Sequence, residues 1–175
     1  MTVTLVQPYN PDWLQWFEQV KEFVVAALEG IPHTIEHVGS TAVPGMTAKP
    51  IIDLIIVTEP GAFGAIKERL QSLAYIDRGD LGITGREAFG LTDAEAKSRL
   101  PAHHVYVCEQ GAAELRKEVA FRDFLRRQPE WLAMLSALKR SLCEQHANDR
   151  QAYMDGKADL VLRITKLALG ESEEP

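Results

Sequence analysis

The stretch Pro50-Ile51-Ile52-Asp53-Leu54-Ile55-Ile56-Val57 limits what this chain can fold into more than any other. Its aliphatic, largely β-branched residues run without the polar alternation of a half-exposed strand, which predicts a strand buried on both faces of a sheet. One residue breaks the run. An unpaired carboxylate at Asp53 would cost several kcal/mol in such surroundings, so Asp53 needs a partner, a metal or a wet cleft. A salt bridge to Lys49 or an arginine is one reading, and a functional carboxylate is the other.

The segment just before it, Glu36 to Lys49, reads EHVGSTAVPGMTAK. A nucleotide-binding P-loop needs G-x-x-x-x-G-K-[ST]; Gly39 and Gly45 are too far apart and Lys49 precedes Pro50, so that motif is excluded, and no G-x-G-x-x-G is present. A different phosphate logic fits. Gly39 allows close backbone approach to a ligand, and Ser40 or Thr41 offers a hydroxyl and exposed amides at a turn that can start a short helix. The competing reading is a plain helix entry at Gly39-Ser40-Thr41 and a tight turn at Pro44-Gly45.

Around these segments the chain reads as a small α+β protein. Trp13, Trp16, Phe17, Val20, Val24 and Leu28 fall at helical spacing before Gly30, and the tryptophans, Trp131 included, read as packing. HTIEHVG and HHVYVCE read as strands and GAFGAIKERLQSL as a helix; the turn-rich YIDRGDLGITGREAFGL suits a strand or a hairpin. From Ala112 the pattern becomes helical, broken at Pro129. One domain over 1–170 is expected, with a sheet core at about 31–110, a helical part at about 112–169 and a frayed acidic tail at 171–175.

Composition narrows the function classes. With 46% hydrophobic and 25% charged residues, the chain is an ordinary soluble protein, and its net charge of −6 argues against a general nucleic-acid or membrane surface while leaving room for a local basic pocket. No apolar stretch suggests a membrane span, the N-terminus shows no secretory pattern, and Cys108 and Cys143 form no metal or redox spacing, so a cytoplasmic setting is expected.

The passage IEHVGSTAVPGMTAKPIIDL resembles the signature of the GrpB family, a branch of the nucleotidyltransferase fold superfamily. The likeness extends through PYNPDWLQWF, GITGREAF, HHVYV, VAFRDFLR and Lys157, nearly the whole chain. It implies a small mixed sheet flanked by helices, with a C-terminal helical group. In superfamily enzymes a Gly-Ser turn holds the β- and γ-phosphates of a nucleotide. A following strand bears Asp-x-Asp or Asp-x-Glu, a third carboxylate sits on a neighbouring strand, and these acids hold two magnesium ions. An acceptor hydroxyl then attacks the α-phosphate and pyrophosphate leaves.

Carried over residue by residue, the resemblance implies that Asp53 is the catalytic and metal-binding carboxylate, with Glu36 or His104 as companion and Mg²⁺ or Mn²⁺ as the ion. It implies a phosphate pocket drawn from Gly39, Ser40, Thr41, Lys49, Arg86, His104, Arg122 and Lys157. For each of the cations, a solvated charge or a pair with Asp123 or Asp159 is the competing reading. For His103 and His104 it is a hydrogen-bonded pair at a strand start. Two departures stand out. Ile55 occupies the place of the second carboxylate, on the same strand face as Asp53, and an aliphatic side chain binds no magnesium; the GrpB pattern itself tends to lack that acid. Tyr106 stands where relatives commonly have a histidine.

The expected function is therefore magnesium-dependent transfer of a nucleotidyl group from a nucleoside triphosphate to a small-molecule acceptor, by an enzyme with an incomplete carboxylate set. The alternative is non-catalytic binding of a nucleotide or phosphorylated metabolite; fusion of some GrpB-like domains to dephospho-coenzyme A kinase directs attention to coenzyme A precursors. A third reading is an interaction module that keeps only the fold. The partner expected in the first two is a phosphorylated small molecule, with neither general nucleic-acid binding nor a membrane.

Overall fold

The computed structural model of the chain describes residues 6–146 and 149–171, so residues 172–175 of the expected acidic tail lie outside it. The described residues fall into two compact units. One, the sheet unit, comprises Asp12–Val38 and Ile51–Arg116; the other, the helical unit, comprises the described residues up to Pro11, the segment Gly39–Pro50 and the described residues from Lys117 on. The Gly-Ser segment is thus grouped with the helices, although it interrupts the strands in sequence.

The sheet unit contains a helix α1 (Trp13–Val25), strands β1 (His33–Val38) and β2 (Ile52–Thr58), a helix α2 (Phe63–Ser72), strands β3 (Tyr75–Asp77) and β4 (Glu87–Leu91), a short helix α3 (Ala94–Arg99) and strand β5 (His103–Glu109). The strands form one mixed sheet in the order β1-β2-β5-β4-β3, with β2 and β5 parallel and the other neighbours antiparallel. The turn-rich stretch resolves into the β3–β4 pair. Helix α3 is an addition to the sequence reading. It is six residues long, four of them polar, and it is marked only by its cap, where Asp93 accepts from the Ala96 amide at 2.7 Å.

Alternation along β2 sorts the sheet into two faces. Ile52, Leu54 and Ile56 are fully buried on one, in register with His103, Val105 and Val107 of β5. On that face the His37 ring stacks on Phe17 of α1 at 4.4 Å, and Phe63 of α2 meets Phe89 of β4 at 6.3 Å. Each such aliphatic side chain stabilises the fold by roughly 1.5–3 kcal/mol. The opposite face carries Asp53 and Ile55, in register with His104 and Tyr106, and Glu36 opposite Ile55.

The helical unit holds most of α4 (Ala113–Arg127), α5 (Pro129–Gln145) and α6 (Arg150–Ala168). Val43, Met46, Leu125, Leu135 and Ile164 form its core, with Phe121, Phe124, Trp131, Leu132, Leu160 and Val161 packed around them. Two of these core residues come from the 39–50 segment, which explains its grouping. A two-residue bridge between Gln7 and Ala48 ties that segment further. No helix among the described residues is long and apolar enough to cross a membrane.

His103 is a partly buried titratable group whose two ring nitrogens are both engaged within the sheet unit. Its Nδ1 lies 2.7 Å from the Pro101 carbonyl and its Nε2 2.6 Å from the Tyr75 hydroxyl. The carbonyl requires a donor at Nδ1, and in the neutral ring Nε2 then accepts from the Tyr75 hydroxyl. Burial, first among several causes, lowers the His103 pKa from the ordinary 6.5, and burial raises that of Tyr75. The unfolded chain then binds a proton more readily than the folded one, so this contribution to stability is complete above about pH 6.5 and declines as pH falls below it. Urea midpoints measured from pH 7.5 to pH 5.5 should fall, and fall less steeply in His103→Gln. An equal slope in both proteins would show that His103 is not held neutral.

Candidate functional site

In the helical unit the site is built on a turn. Gly39 has φ 70°, a left-handed backbone that glycine adopts without steric cost, and a 3-10 turn over Ser40–Ala42 follows. The Ser40 hydroxyl accepts from Lys139 Nζ at 2.5 Å, and Lys139 reaches the Thr47 carbonyl at 3.3 Å. Lys139 is only 3% exposed, which makes it a buried ammonium aimed at the turn. Its helix contributes more. Ser136 accepts from the Thr47 amide at 3.1 Å, and Arg140 donates to the Thr47 hydroxyl at 2.9 Å. From α4, Arg126 places Nε and Nη2 on the Ala42 carbonyl at 3.1 and 2.7 Å.

A second set of cations gathers on one ring. Lys49 Nζ sits 5.0 Å and Lys157 Nζ 5.4 Å from the centre of Tyr153. Burial, then the charge of Arg150, lowers the Lys49 pKa. Arg122 is engaged differently. Its Nε and Nη2 bond Asp123 at 2.8 and 3.3 Å, and that hydrogen bond is the main cause of the lowered Asp123 pKa. Of the residues expected in a phosphate pocket, this unit therefore holds Gly39, Ser40, Thr41, Lys49, Arg122 and Lys157. It adds Lys139, which sequence reasoning missed. On α5 the buried residues are Leu135, Ser136, Lys139 and Leu142, so a serine and a lysine occupy the apolar stripe, and that misplacement was the available signal.

In the sheet unit Asp53 has its partner. His104 Nδ1 lies 2.9 Å from Asp53 Oδ1, with the side chains 51% and 28% exposed respectively. His103 is on the other face, so the two histidines form no pair with one another. Next along this face, the Arg86 guanidinium covers the Tyr106 ring at 4.2 Å, and the His104 and Tyr106 rings are 6.0 Å apart. Glu36 shares the face but pairs with Ile55, a diagonal step of about 7–8 Å from Asp53.

The magnesium expectation can be weighed on these donors. Ile55, at the second-carboxylate position, is fully buried hydrocarbon, and Asp53 already shares an oxygen with His104. Among the described residues no three His, Cys, Asp or Glu side chains gather in a group able to hold a metal ion. The donor set does not fit a two-magnesium centre.

A family model described as GrpB protein matches residues 3–167. The chain belongs to the GrpB family. It is 35% identical over 176 residues to UPF0157 protein PA4798 of Pseudomonas aeruginosa, covering 97% of this chain and 69% of that one. It is 32% identical over 154 residues to UPF0157 protein YqkA of Bacillus subtilis, covering 87% of this chain but only 43% of the relative's length. The crystal structure of the conserved protein GrpB from Enterococcus faecalis superposes with a TM-score of 0.81 at 28% identity, over 95% of this chain and 98% of that one. More distant likeness shows the fold alone. GLD-2 in its RNP-8 complex matches 91% of this chain and 60% of its own with a TM-score of 0.59 at 13% identity. Cid1 poly(U) polymerase matches 77% and 43% with a TM-score of 0.56 at 10% identity. The α+β fold of this GrpB chain is that of the nucleotidyltransferases.

The Arg126 contact yields a prediction. Arg126→Ala removes the donors on the Ala42 carbonyl and should lower stability by about 1 kcal/mol. Amide hydrogen exchange within 39–50 should quicken more than exchange in β2 or β5. Uniform quickening would show that Arg126 does not hold the turn.

Proposed function

We propose that this GrpB chain binds a nucleoside triphosphate through its phosphates at the Ser40 turn, for transfer of the nucleotidyl group to a small-molecule acceptor. The observation that carries this reading is the buried Lys139 ammonium placed on the Ser40 hydroxyl, beside a turn entered through a left-handed glycine. Turn amides, a hydroxyl and an ammonium are the groups that recognise a phosphate.

Lys49 and Lys157 at one tyrosine ring support it further. Two cations stand at that one aromatic ring in a chain whose net charge is −6. Cid1, which shares the fold, has been captured with MgGTP. Magnesium or manganese enters this reading as the counter-ion of the phosphates, which bring their own oxygens to it. The cytoplasm, where nucleoside triphosphates are plentiful, is the setting this function requires. A second reading, binding without transfer, is favoured by the hydrocarbon of Ile55 where a second acid would stand.

Calorimetric titration with ATP, GTP, CTP and UTP in MgCl₂ should reveal saturable binding by at least one. Ser40→Ala and Lys49→Gln should each weaken it about tenfold, the loss of one charge-assisted hydrogen bond. If no nucleotide gives heat or raises Tm, the phosphate reading is wrong. Release of pyrophosphate in the presence of hydroxyl acceptors separates transfer from binding alone.

A further inference from the structure

At the carboxyl ends of the parallel strands β2 and β5, the sheet unit holds a cleft of about 240 Å³. Thr34 of β1, Val57 and Thr58 of β2, and Glu59 and Gln110 just beyond β2 and β5 line it. Asp53 stands toward the other end of β2, roughly 16 Å back along the strand. The loops around the cleft are pinned. The Gln110 amide donates to the Thr58 carbonyl at 2.7 Å and the Ala62 amide to the Glu59 carbonyl at 3.1 Å. The Gly61 amide donates to the Glu109 carboxylate at 3.1 Å, which ties the loop after β2 to the end of β5. A cleft fixed in this way loses little order when a ligand enters.

One of its walls is left unsatisfied. Thr58 is 1% exposed, and its hydroxyl has no hydrogen-bond partner among the described residues. A buried hydroxyl without a partner carries a desolvation cost, which a polar group seated in the cleft would remove. The charge of the walls selects that group. No lysine or arginine lines the cleft, and Glu59 brings a carboxylate, which only accepts hydrogen bonds. His33, also in the wall, has Nδ1 2.7 Å from the Ile31 carbonyl; with Nδ1 the donor, Nε2 of the neutral ring accepts as well. Such walls repel a phosphate and favour a cation rich in N–H donors. Pro32 and His33 are shared with a broader hollow of about 560 Å³, where Val25, Ala26 and Leu28 offer apolar surface.

We propose that this cleft binds a small primary amine in its protonated form, with the ammonium donating to the Glu59 carboxylate and the Thr58 hydroxyl. The hydrocarbon of the amine lies on Val57 and Pro32 and continues toward the hollow. Pockets for drug-sized ligands span roughly 300–1,000 Å³, so the head group seated in the cleft is smaller than that. The inference is independent of the nucleotide reading.

The probe is phenethylammonium chloride, titrated into the ¹⁵N-labelled full chain and followed by NMR. Saturable shifts should appear at the amides of Thr34, Thr58, Glu59 and Gln110. Equal concentrations of 3-phenylpropionate, which reverses the charge, and of tetramethylammonium, which has no N–H, should leave those amides in place. Glu59→Gln, at an exposed position, should weaken binding about tenfold, the loss of one charge-assisted hydrogen bond. Thr58→Val keeps the shape and removes the hydroxyl, so it should weaken binding several-fold while raising the Tm of the ligand-free protein by roughly 2–4 °C. A purely structural hydroxyl would give the opposite sign, so an unchanged or lower Tm in Thr58→Val overturns the assignment. It is equally overturned if phenethylammonium moves none of these amides, if either control compound moves them as far, or if Glu59→Gln binds as the native chain does.

Discussion

One hydrogen bond, from His104 to Asp53, reconciles an acidic group with the most apolar strand of the chain. It exists because β2 and β5 pair in a single register. Sliding β5 by one residue would set His103 beside Asp53 and turn every side chain of the strand to the wrong face. Ile52, Leu54 and Ile56 on one face, matched to Val105 and Val107, resist that slip through their burial. The packing of the sheet and the chemistry of its other face are thus one constraint. What positions the carboxylate is the same pairing that buries the aliphatic residues around it.

The helical unit solves a comparable problem with the opposite charge. An ammonium that is 3% exposed carries a desolvation cost, and the Ser40 hydroxyl and Thr47 carbonyl offset part of it. The arrangement shapes the turn in return. Thr47 is bonded through its amide, its carbonyl and its hydroxyl by three residues of α5, and Ala42 by a guanidinium of α4. A turn held this way approaches a ligand with its amides already oriented, which reduces the ordering cost of binding.

Much of this was legible in the residues. Periodicity located α1, α2, β2 and β5, because apolar spacing of 3.6 or a continuous apolar run leaves little choice of structure. Asp53 announced a partner by its surroundings, though nothing local named His104 rather than Lys49 or an arginine. The C-terminal helices were plain, yet Lys139 passed as an ordinary surface lysine within a helix, since its reason for burial lies in a different stretch of chain. Arg122 illustrates the converse: its neighbour in sequence, Asp123, is its partner in space. Local contacts can be read from the sequence. Contacts that pair a loop with a distant helix depend on the assembled fold, and neither the grouping of 39–50 with the helices nor the clasp on Ala42 has a local signature.

The distance along the chain between Ser40 and Lys139 has a further consequence. The two are 99 residues apart, and the other side chains that hold the turn come from α4 and α5 as well. On a ribosome, Ser40 emerges long before any of them. The strands of the sheet unit are all synthesised before α5, so the nascent chain can pair its strands while the turn still lacks its clasp. Maturation of the turn is consequently a late, long-range event. A nascent chain halted before α5 would carry the glycine, the serine and the aspartate, yet would have no ammonium to present with them.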